Sequence, residues 1–191
     1  QDYGERNIPV VAQTNVKAVD GGGRHVLALR TDGTVVAWGS NDYGQSYVPA
    51  GLRDVIAIAA GDNFSMALTA DGQVVAWGSN MQRQLMVPTG LRGVTAIAAG
   101  ADHALALRFD GTVVGWGGNA KRQLAGVELA RNVVQIGAGR EYSVLLRSDG
   151  TLYAYGSNYV SAINFPRYLS NVVWISASWV HTVVGLRNGN I

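Results

Sequence analysis

Short runs of apolar residues recur along the chain and are separated by Gly, Asp and Asn. In one unit, the β-branched and small-residue run Val55–Ala60 precedes a glycine, and Phe64–Leu68 then alternates large with small side chains. Asp71-Gly72 is a strong hairpin signal because both residues tolerate positive φ, and Val74–Trp77 resumes the apolar pattern. No stretch keeps the 3.6-residue period of an amphipathic helix. The pattern predicts three strands per unit, a marginal fourth near Val87-Pro88, and very little helix.

The same pattern returns at a constant spacing. The Trp-Gly-x-Asn tetrad at residues 38–41 recurs 39 residues later and twice more at that step, with Tyr replacing Trp in the last copy. The turns preceding the copies keep the same step: Asp32-Gly33, Asp71-Gly72, Asp110-Gly111, Asp149-Gly150 and Asn188-Gly189. Such a period indicates an array of one supersecondary unit. We expect a single domain, 1–191, with repeat units at 16–54, 55–93, 94–132 and 133–171, a partial unit at 172–191, and 1–15 as the lead-in from a preceding unit.

Three or four antiparallel strands in about 40 residues, repeated radially, are typical of a β-propeller blade. A β-solenoid is the competing architecture, but its coils are shorter and lack hairpins at a fixed Asp-Gly. Ala59-Ala60-Gly61 and Ala98-Ala99-Gly100 fit a crowded position near a central axis. We therefore predict an all-β fold, a β-propeller of about five 39-residue blades. The chain begins just after a tetrad and ends shortly past a turn, so we expect it to be part of a larger propeller; a closed five-bladed ring is the alternative.

The third unit reads Ala99-Gly100, His103–Leu107, Asp110-Gly111, Trp116–Asn119 and Gln123-Leu124. It resembles the repeats of the regulator of chromosome condensation, which run Ala-x-Gly, His-Ser-x-Ala-Leu, a Gly turn, Trp-Gly-x-Asn and Gly-Gln-Leu. The match covers essentially the whole chain. The repeat length and the Val-Pro before each unit look most like the short bacterial version of this family, which includes a propeller-shaped protein inhibitor of β-lactamases. The resemblance implies a β-propeller, typically of about seven blades.

Composition excludes several classes of function. The formal net charge of +2 is too small to suggest nucleic-acid binding. The chain has no cysteine, which excludes thiolate metal sites and cysteine nucleophiles. No apolar run approaches the ~18 residues of a membrane span. We therefore expect no nucleic-acid partner and no membrane insertion.

Repeated polar residues are interpreted as structural. His25, His103 and His181 occupy one slot in alternate units, so they cannot converge on a single metal ion, and we expect each ring to pack at a strand start with a local hydrogen bond. The aspartates of the Asp-Gly turns suit the turn backbone, and the tetrad aromatics should pack between blades. No spacing argues for paired catalytic carboxylates or a Ser-His-Asp triad. We expect no enzymatic activity, no metal and no cofactor.

Positions that differ between units are the candidates for function. One set follows what we call the glycine slot, which holds Gly22, Gly61, Gly100 and Gly139, with Ser178 in the fifth unit. The other set follows the tetrad. The candidate binding residues are Arg24, Asp62, Asn63, Asp102, Arg140, Glu141, Trp179, Tyr43 and Tyr159. Tyr, Trp and Arg are enriched at protein interfaces. We predict a non-catalytic scaffold that binds another protein through one propeller face, secreted or in the cell envelope of a bacterium. A protein inhibitor of a secreted hydrolase, a carbohydrate-binding propeller, and a self-assembling component of a surface layer or filament stay open as alternatives.

Overall fold

The computed structural model describes residues 4–158, 161–166 and 169–191. These residues form fourteen strands and two short 3₁₀ turns, Val10–Ala12 and Val127–Leu129. The strands in chain order are β1 (Val16–Gly21), β2 (His25–Arg30), β3 (Val35–Gly39), β4 (Val55–Ala60), β5 (Phe64–Thr69), β6 (Val74–Gly78), β7 (Val94–Ala99), β8 (His103–Arg108), β9 (Val113–Gly117), β10 (Val133–Ala138), β11 (Tyr142–Arg147), β12 (Leu152–Gly156), β13 (Val172–Ala177) and β14 (Thr182–Leu186).

Consecutive strands pair antiparallel into five sheets, which we call blades 1 to 5. They comprise β1–β3, β4–β6, β7–β9, β10–β12 and β13–β14. The predicted all-β fold with very little helix is confirmed. Across the described ranges, no helix is long and apolar enough to cross a membrane.

Each hairpin between the second and third strands of a blade turns at Asp-Gly. In blade 1, Gly33 has a φ of +79°, and the Asp32 carboxylate accepts hydrogen bonds from the main-chain N–H (3.0 Å) and the hydroxyl (2.6 Å) of Thr34. These bonds favour the charged carboxylate and lower the pKa of Asp32. Asp110 and Asp149 make the same pair of bonds. The repeated aspartates therefore form the turns, as predicted.

The core lies between blades because side chains alternate between the two faces of each strand. Phe64, Met66 and Leu68 of β5 point toward blade 3 and pack against Ala104 and Ala106. The intervening residues face the preceding blade: Ala67 of β5 packs with Leu27 and Leu29 of blade 1. The residue at that position in β11 is the larger Leu145. Where large residues of one blade meet small ones of the next, the units stack at close range.

The marginal fourth strand does not form in the described residues. After the first three tetrads the chain makes a loop instead, and each loop contains one buried glutamine: Gln45, Gln84 or Gln123. The indole N–H of Trp77 donates to the main-chain carbonyl of Gln45 at 2.9 Å, and Trp116 does the same to Gln84 at 2.9 Å. Packing of the tetrad aromatics between blades is therefore confirmed, and a loop held by these bonds occupies the place of the fourth strand.

The inner strands β1, β4, β7, β10 and β13 surround a central cavity of about 460 Å³ lined mainly by Ala, Gly and Ile. Ala59-Ala60-Gly61 and Ala98-Ala99-Gly100 lie on its wall, as their size predicted. The blades follow one another around the cavity in chain order, which is the arrangement of a β-propeller. Membership of a larger propeller stays a prediction.

Candidate functional site

Both sets of variable loops emerge on the same face. The third residue of each tetrad donates its main-chain N–H to a main-chain carbonyl, that of the residue two places after a glycine slot. The bonds are Ser40 to Arg24 (2.7 Å), Ser79 to Asn63 (2.8 Å), Gly118 to Asp102 (2.7 Å) and Ser157 to Glu141 (2.9 Å). We call this side the Gly-slot face. The Asp-Gly hairpins lie at the other end of the strands, on what we call the turn face.

A ring of main-chain hydrogen bonds fixes the cavity mouth on the Gly-slot face. The residue after each glycine slot donates its N–H to the equivalent carbonyl of the next blade, in the bonds Gly23 to Asp62 (3.2 Å), Asp62 to Ala101 (3.1 Å), Ala101 to Arg140 (3.1 Å) and Arg140 to Trp179 (3.0 Å). These residues come from five different blades. Their side chains are therefore brought to one rim by the backbone itself.

The structure brings most of the candidate residues together around this mouth. Asp62, Arg140 and Trp179 line it. The next residue along the chain in each blade does not line the cavity and lies beside the mouth: Arg24, Asn63, Asp102, Glu141 and Val180. Tyr43 lies further out, 45% exposed, with its main-chain N–H bonded to the Gln45 side-chain oxygen at 2.9 Å. Tyr159 lies outside the described residues. The binding role of these residues stays a prediction.

Two carboxylates at the mouth are partly desolvated. Burial raises the pKa of Asp62, while the positive charges of Arg140 and Arg24 oppose that rise. Burial also raises the pKa of Asp102, and the neighbouring charge of Asp62 raises it further. The ion pairs of the described residues are Arg30–Asp32, Arg53–Asp54, Arg108–Asp110 and Arg147–Asp149, all on the turn face. Neither mouth aspartate forms an ion pair of this kind.

A cation–π contact lies at the same mouth. The Arg140 guanidinium lies 5.2 Å from the centre of the Trp179 ring, and Trp179 remains 42% exposed. Such a contact orders two side chains that are common in interface hot spots. An aromatic and a guanidinium group are thus held in place at an accessible rim.

Sequence reasoning missed Asp20, which lies on the cavity wall. Its carboxylate accepts a hydrogen bond from the main-chain N–H of Ala60 in the next blade at 2.8 Å, and burial raises its pKa. The equivalent slot holds Ala59, Ala98, Gly137 and Ser176 in the other blades. A single charge in an otherwise small-residue slot was the available signal.

His25 and His103 connect blades, and for these two the predicted local hydrogen bond is wrong. His25 Nε2 lies 2.8 Å from the Ser65 hydroxyl of blade 2, and His103 Nε2 lies 3.0 Å from the Ser143 hydroxyl of blade 4. Burial lowers the pKa of both imidazoles to about 4. Within the ranges described, no group of three or more His, Cys, Asp or Glu is placed to hold a metal ion.

Solved structures share this fold. The crystal structure of Prp20p from Saccharomyces cerevisiae aligns with a TM-score of 0.76 at 21% identity, covering 93% of this chain and 57% of that one. Human WBSCR16 aligns with a TM-score of 0.74 at 19% identity, covering 90% of this chain and 58% of that one. The ectodomain of the Arabidopsis thaliana receptor kinase ACR4 aligns with a TM-score of 0.70 at 22% identity, covering 90% and 68%.

This chain thus spans a little over half the length of the first two structures. At these identities the likeness concerns the fold alone. No curated protein sequence matches the chain significantly. The regulator of chromosome condensation (RCC1) repeat matches residues 16–45, 55–83, 94–123 and 133–161. Because these matches cover more than half of the sequence, the chain belongs to the RCC1 repeat family.

Proposed function

We propose that this protein is a non-catalytic scaffold that binds another protein through the Gly-slot face, outside the cytoplasm of a bacterial cell. The observation that carries the proposal is the convergence of variable residues from five blades at one mouth. Asp62, Arg140 and Trp179 differ in charge and size, yet their main chains are held by the same ring of hydrogen bonds. A constant frame with variable side chains is typical of a repeat protein that presents a binding surface.

The turn face differs in a way that supports this choice of side. Its aspartates recur in every complete blade, and in three of those blades the carboxylate is bonded to a threonine two residues later. Side chains already engaged within their own turn offer less to a partner than those at the mouth.

Structural relatives support protein binding as the class of function. The crystal structure of Prp20p was reported together with its binding properties to Gsp1p and histones, and a second crystal structure shows yeast RCC1 (Prp20) bound to Kap60. This chain covers 57% and 55% of those two chains. The relatives therefore favour a protein as the partner.

The arrangement at the mouth supports binding over catalysis. Acid–base catalysis by two carboxylates requires environments that push their pKa values apart. Burial instead raises the pKa of both Asp62 and Asp102. Neither carboxylate lies within hydrogen-bond distance of a serine, threonine or histidine side chain in the described part of the chain.

Site-specific photo-crosslinking in the source organism tests the proposal. A crosslinking amino acid replaces Asn63 or Val180 on the Gly-slot face, or Thr31 or Ser148 on the turn face as matched controls. We expect a discrete protein adduct from the first pair only, identified by mass spectrometry and then confirmed with the purified partner. Adducts confined to Thr31 and Ser148 would show that the opposite face binds.

Three further measurements distinguish the alternative functions. Stoichiometric inhibition in a panel of secreted hydrolases would make the partner an enzyme. A glycan-array signal lost in Trp179→Ala would instead favour carbohydrate binding, and sedimentation as large ordered assemblies would favour a surface layer or filament. Cell fractionation tests the location, since recovery in the cytoplasm alone contradicts it.

A further inference from the structure

The central cavity has two chemically different sides. Blades 1 to 3 contribute carboxylates, with Asp20 on the wall, Asp62 at the mouth and Asp102 beside it. Blades 4 and 5 contribute Arg140 and Trp179, which stack on each other. Arg140 faces an aromatic ring, and its charge and that of Arg24 only partly offset the effect of burial on the Asp62 carboxylate.

The acidic side has unused hydrogen-bonding capacity. In the described part of the chain the Asp62 carboxylate accepts no hydrogen bond, and it lies against Gly23, where a Cβ would come within 1.8 Å of Oδ1. Asp102 receives one long bond, 3.5 Å from the Gln84 side-chain nitrogen. A partly desolvated carboxylate without donors is energetically unfavourable. Both groups would gain from a donor supplied by a ligand.

The sign of the local charge is opposite to that of the chain. The formal net charge is +2, yet four carboxylates surround the mouth and its wall against two guanidinium groups: Asp20, Asp62, Asp102 and Glu141 against Arg24 and Arg140. Cavity walls of low polarity concentrate such a field and favour a ligand of complementary charge.

We propose that the cavity mouth receives a basic side chain, arginine or lysine, that projects from the partner protein. The cationic head binds between Asp62 and Asp102 through charge-assisted hydrogen bonds. Its aliphatic stem extends from there out of the mouth toward the main chain of the partner. The cavity of about 460 Å³ is within the range of roughly 300–1,000 Å³ found for ligand pockets. This inference rests on the proposed function and specifies the chemistry of the partner.

A free metal ion fits the mouth less well. Within the described ranges, no third His, Cys, Asp or Glu side chain joins Asp62 and Asp102 in a group that could hold a metal ion. The positive charge of Arg140 also acts on both aspartates. A positioned side chain can direct its donors at the two carboxylates from outside, away from that guanidinium.

Capped pentapeptides with one central residue between glycines test the inference on the intact protein. The central residue is arginine, lysine, glutamine or glutamate, and binding is followed by the amide chemical shifts of isotope-labelled protein up to about 20 mM peptide, where a complex with a Kd near 1 mM is saturated. We expect the arginine and lysine peptides to shift the amides of Ala60, Asp62 and Asp102, and the other two peptides to leave them unchanged.

The isosteric double variant Asp62→Asn/Asp102→Asn should bind the basic peptides about fivefold more weakly or worse. Asp54→Asn/Glu128→Gln removes two exposed carboxylates that do not line the mouth. It is the matched control for net charge and should bind the basic peptides normally. Unchanged binding in the double variant, equal binding of the glutamine peptide, or the same shifts with calcium chloride alone would each overturn the inference.

The peptide test and the crosslinking test fail separately. Peptides that do not bind refute a basic side chain at the mouth while crosslinks from Asn63 and Val180 still establish the binding face. Crosslinks confined to the turn face refute the proposed function even where the basic peptides bind.

Discussion

At the scale of single residues, one position joins each of blades 1 to 4 to the next. We call it the ring slot because it holds the ring side chains His25, Phe64, His103 and Tyr142. Ser65 donates its hydroxyl hydrogen to the Gln45 carbonyl at 2.7 Å, so the His25 Nε2 that contacts Ser65 must carry a proton and donate it. The second nitrogen, Nδ1, is buried without a partner. A protonated imidazole would therefore place an additional donor where nothing accepts it.

This geometry predicts that the free energy of unfolding decreases as the pH is lowered. The pKa of His25 and His103 is lowered from 6.5 to about 4 in the folded protein. Between these values the unfolded chain binds protons that the folded chain does not, so acid favours unfolding. The stabilisation is complete above about pH 6.5 and is lost as pH falls toward about 4, by up to about 3 kcal/mol for each histidine. Urea unfolding across this range measures it.

The chain supplies its own control for this prediction. Phe64 and Ala104 fill the same two slots at the next interface, so His25→Phe/Ser65→Ala copies a native pair without an imidazole. We expect this variant to lose about half of the pH dependence between pH 7 and 5. An unchanged pH dependence would show that other groups, such as the aspartates, are responsible.

Binding should depend most on the cation–π pair at the mouth. Trp179→Ala and Arg140→Ala should each weaken partner binding by about 1–2 kcal/mol or more, with little change in the free energy of unfolding. The reason is that both side chains are positioned by the backbone ring and face solvent. Titration calorimetry with the purified partner that crosslinking identifies gives the affinities. Phe109→Ala and Arg53→Ala, exposed on the turn face, are the matched controls.

Changes at residues that recur in the blades, such as Trp77 and Asp71, should lower the stability of the fold and have little direct effect on partner binding. Trp77 is buried and its indole bonds Gln45, so Trp77→Ala should cost about 3–5 kcal/mol of stability. Asp71→Ala should also destabilise the fold because it removes the carboxylate of a turn. Equal losses of affinity in the folded Trp77→Ala and Trp179→Ala proteins would contradict the division between frame and site.

At the scale of elements, the strands and hairpins could be predicted from sequence. The alternation in Phe64–Leu68 and the Asp71-Gly72 turn are local signals, and the structure has β5 and β6 where they indicate. The fourth strand could not be settled in this way. Its place is taken by a loop in which the main-chain carbonyl of Gln45 binds Trp77, 32 residues later, and periodicity carries no information about such a bond.

The inner strands of blades 1 to 4 require glycine at their ends for steric reasons. A Cβ at Gly61 would lie 2.0 Å from the Phe64 ring and 2.7 Å from the main-chain oxygen of Gly100. A Cβ at Gly100 would likewise lie 2.1 Å from the His103 ring and 2.5 Å from the main-chain oxygen of Gly139. The glycine therefore leaves room for the ring side chain of its own blade and for the main chain of the next blade.

We therefore expect Gly61→Ala to destabilise the protein by about 1–3 kcal/mol, the usual range for overpacking. Gly21→Ala is the matched control, because a Cβ there meets nothing within 4 Å. Thermal melting followed by near-ultraviolet circular dichroism compares the two. Equal stability of both variants would mean that the inner strands can move apart at little cost.

At the scale of the whole molecule, the repeat predicted radial blades but not the polar contacts between them. Asp20 bonds Ala60, and the Gln135 side chain both donates to the Ile175 carbonyl (2.8 Å) and accepts from its N–H (2.9 Å). Each partner lies 40 residues away, in the next blade. The sequence shows only that these slots are unusual, because the contact depends on how closely neighbouring inner strands approach.

The ring slots follow a rule that extends along the array. Each ring is matched to the residue it meets in the following blade, in the pairs His25 with Ser65, Phe64 with Ala104, His103 with Ser143 and Tyr142 with Thr182. Polar rings meet hydroxyl residues and the apolar ring meets alanine. Pairing of this kind makes each blade fit its own neighbour better than another copy.

A double-mutant cycle at the second interface tests this rule. Phe64→His alone should cost about 1–3 kcal/mol, because a buried imidazole would face Ala104 without an acceptor. Ala104→Ser alone should cost less, since its hydroxyl can donate to the Gln84 carbonyl as Ser65 does to Gln45. The double variant restores the pair of the flanking interfaces, so we expect a favourable coupling of about 1–2 kcal/mol by urea unfolding. Phe64→His/Ala106→Ser, with the hydroxyl two residues further along β8, should show none. Additive effects in both double variants would mean that the blades are interchangeable at this slot.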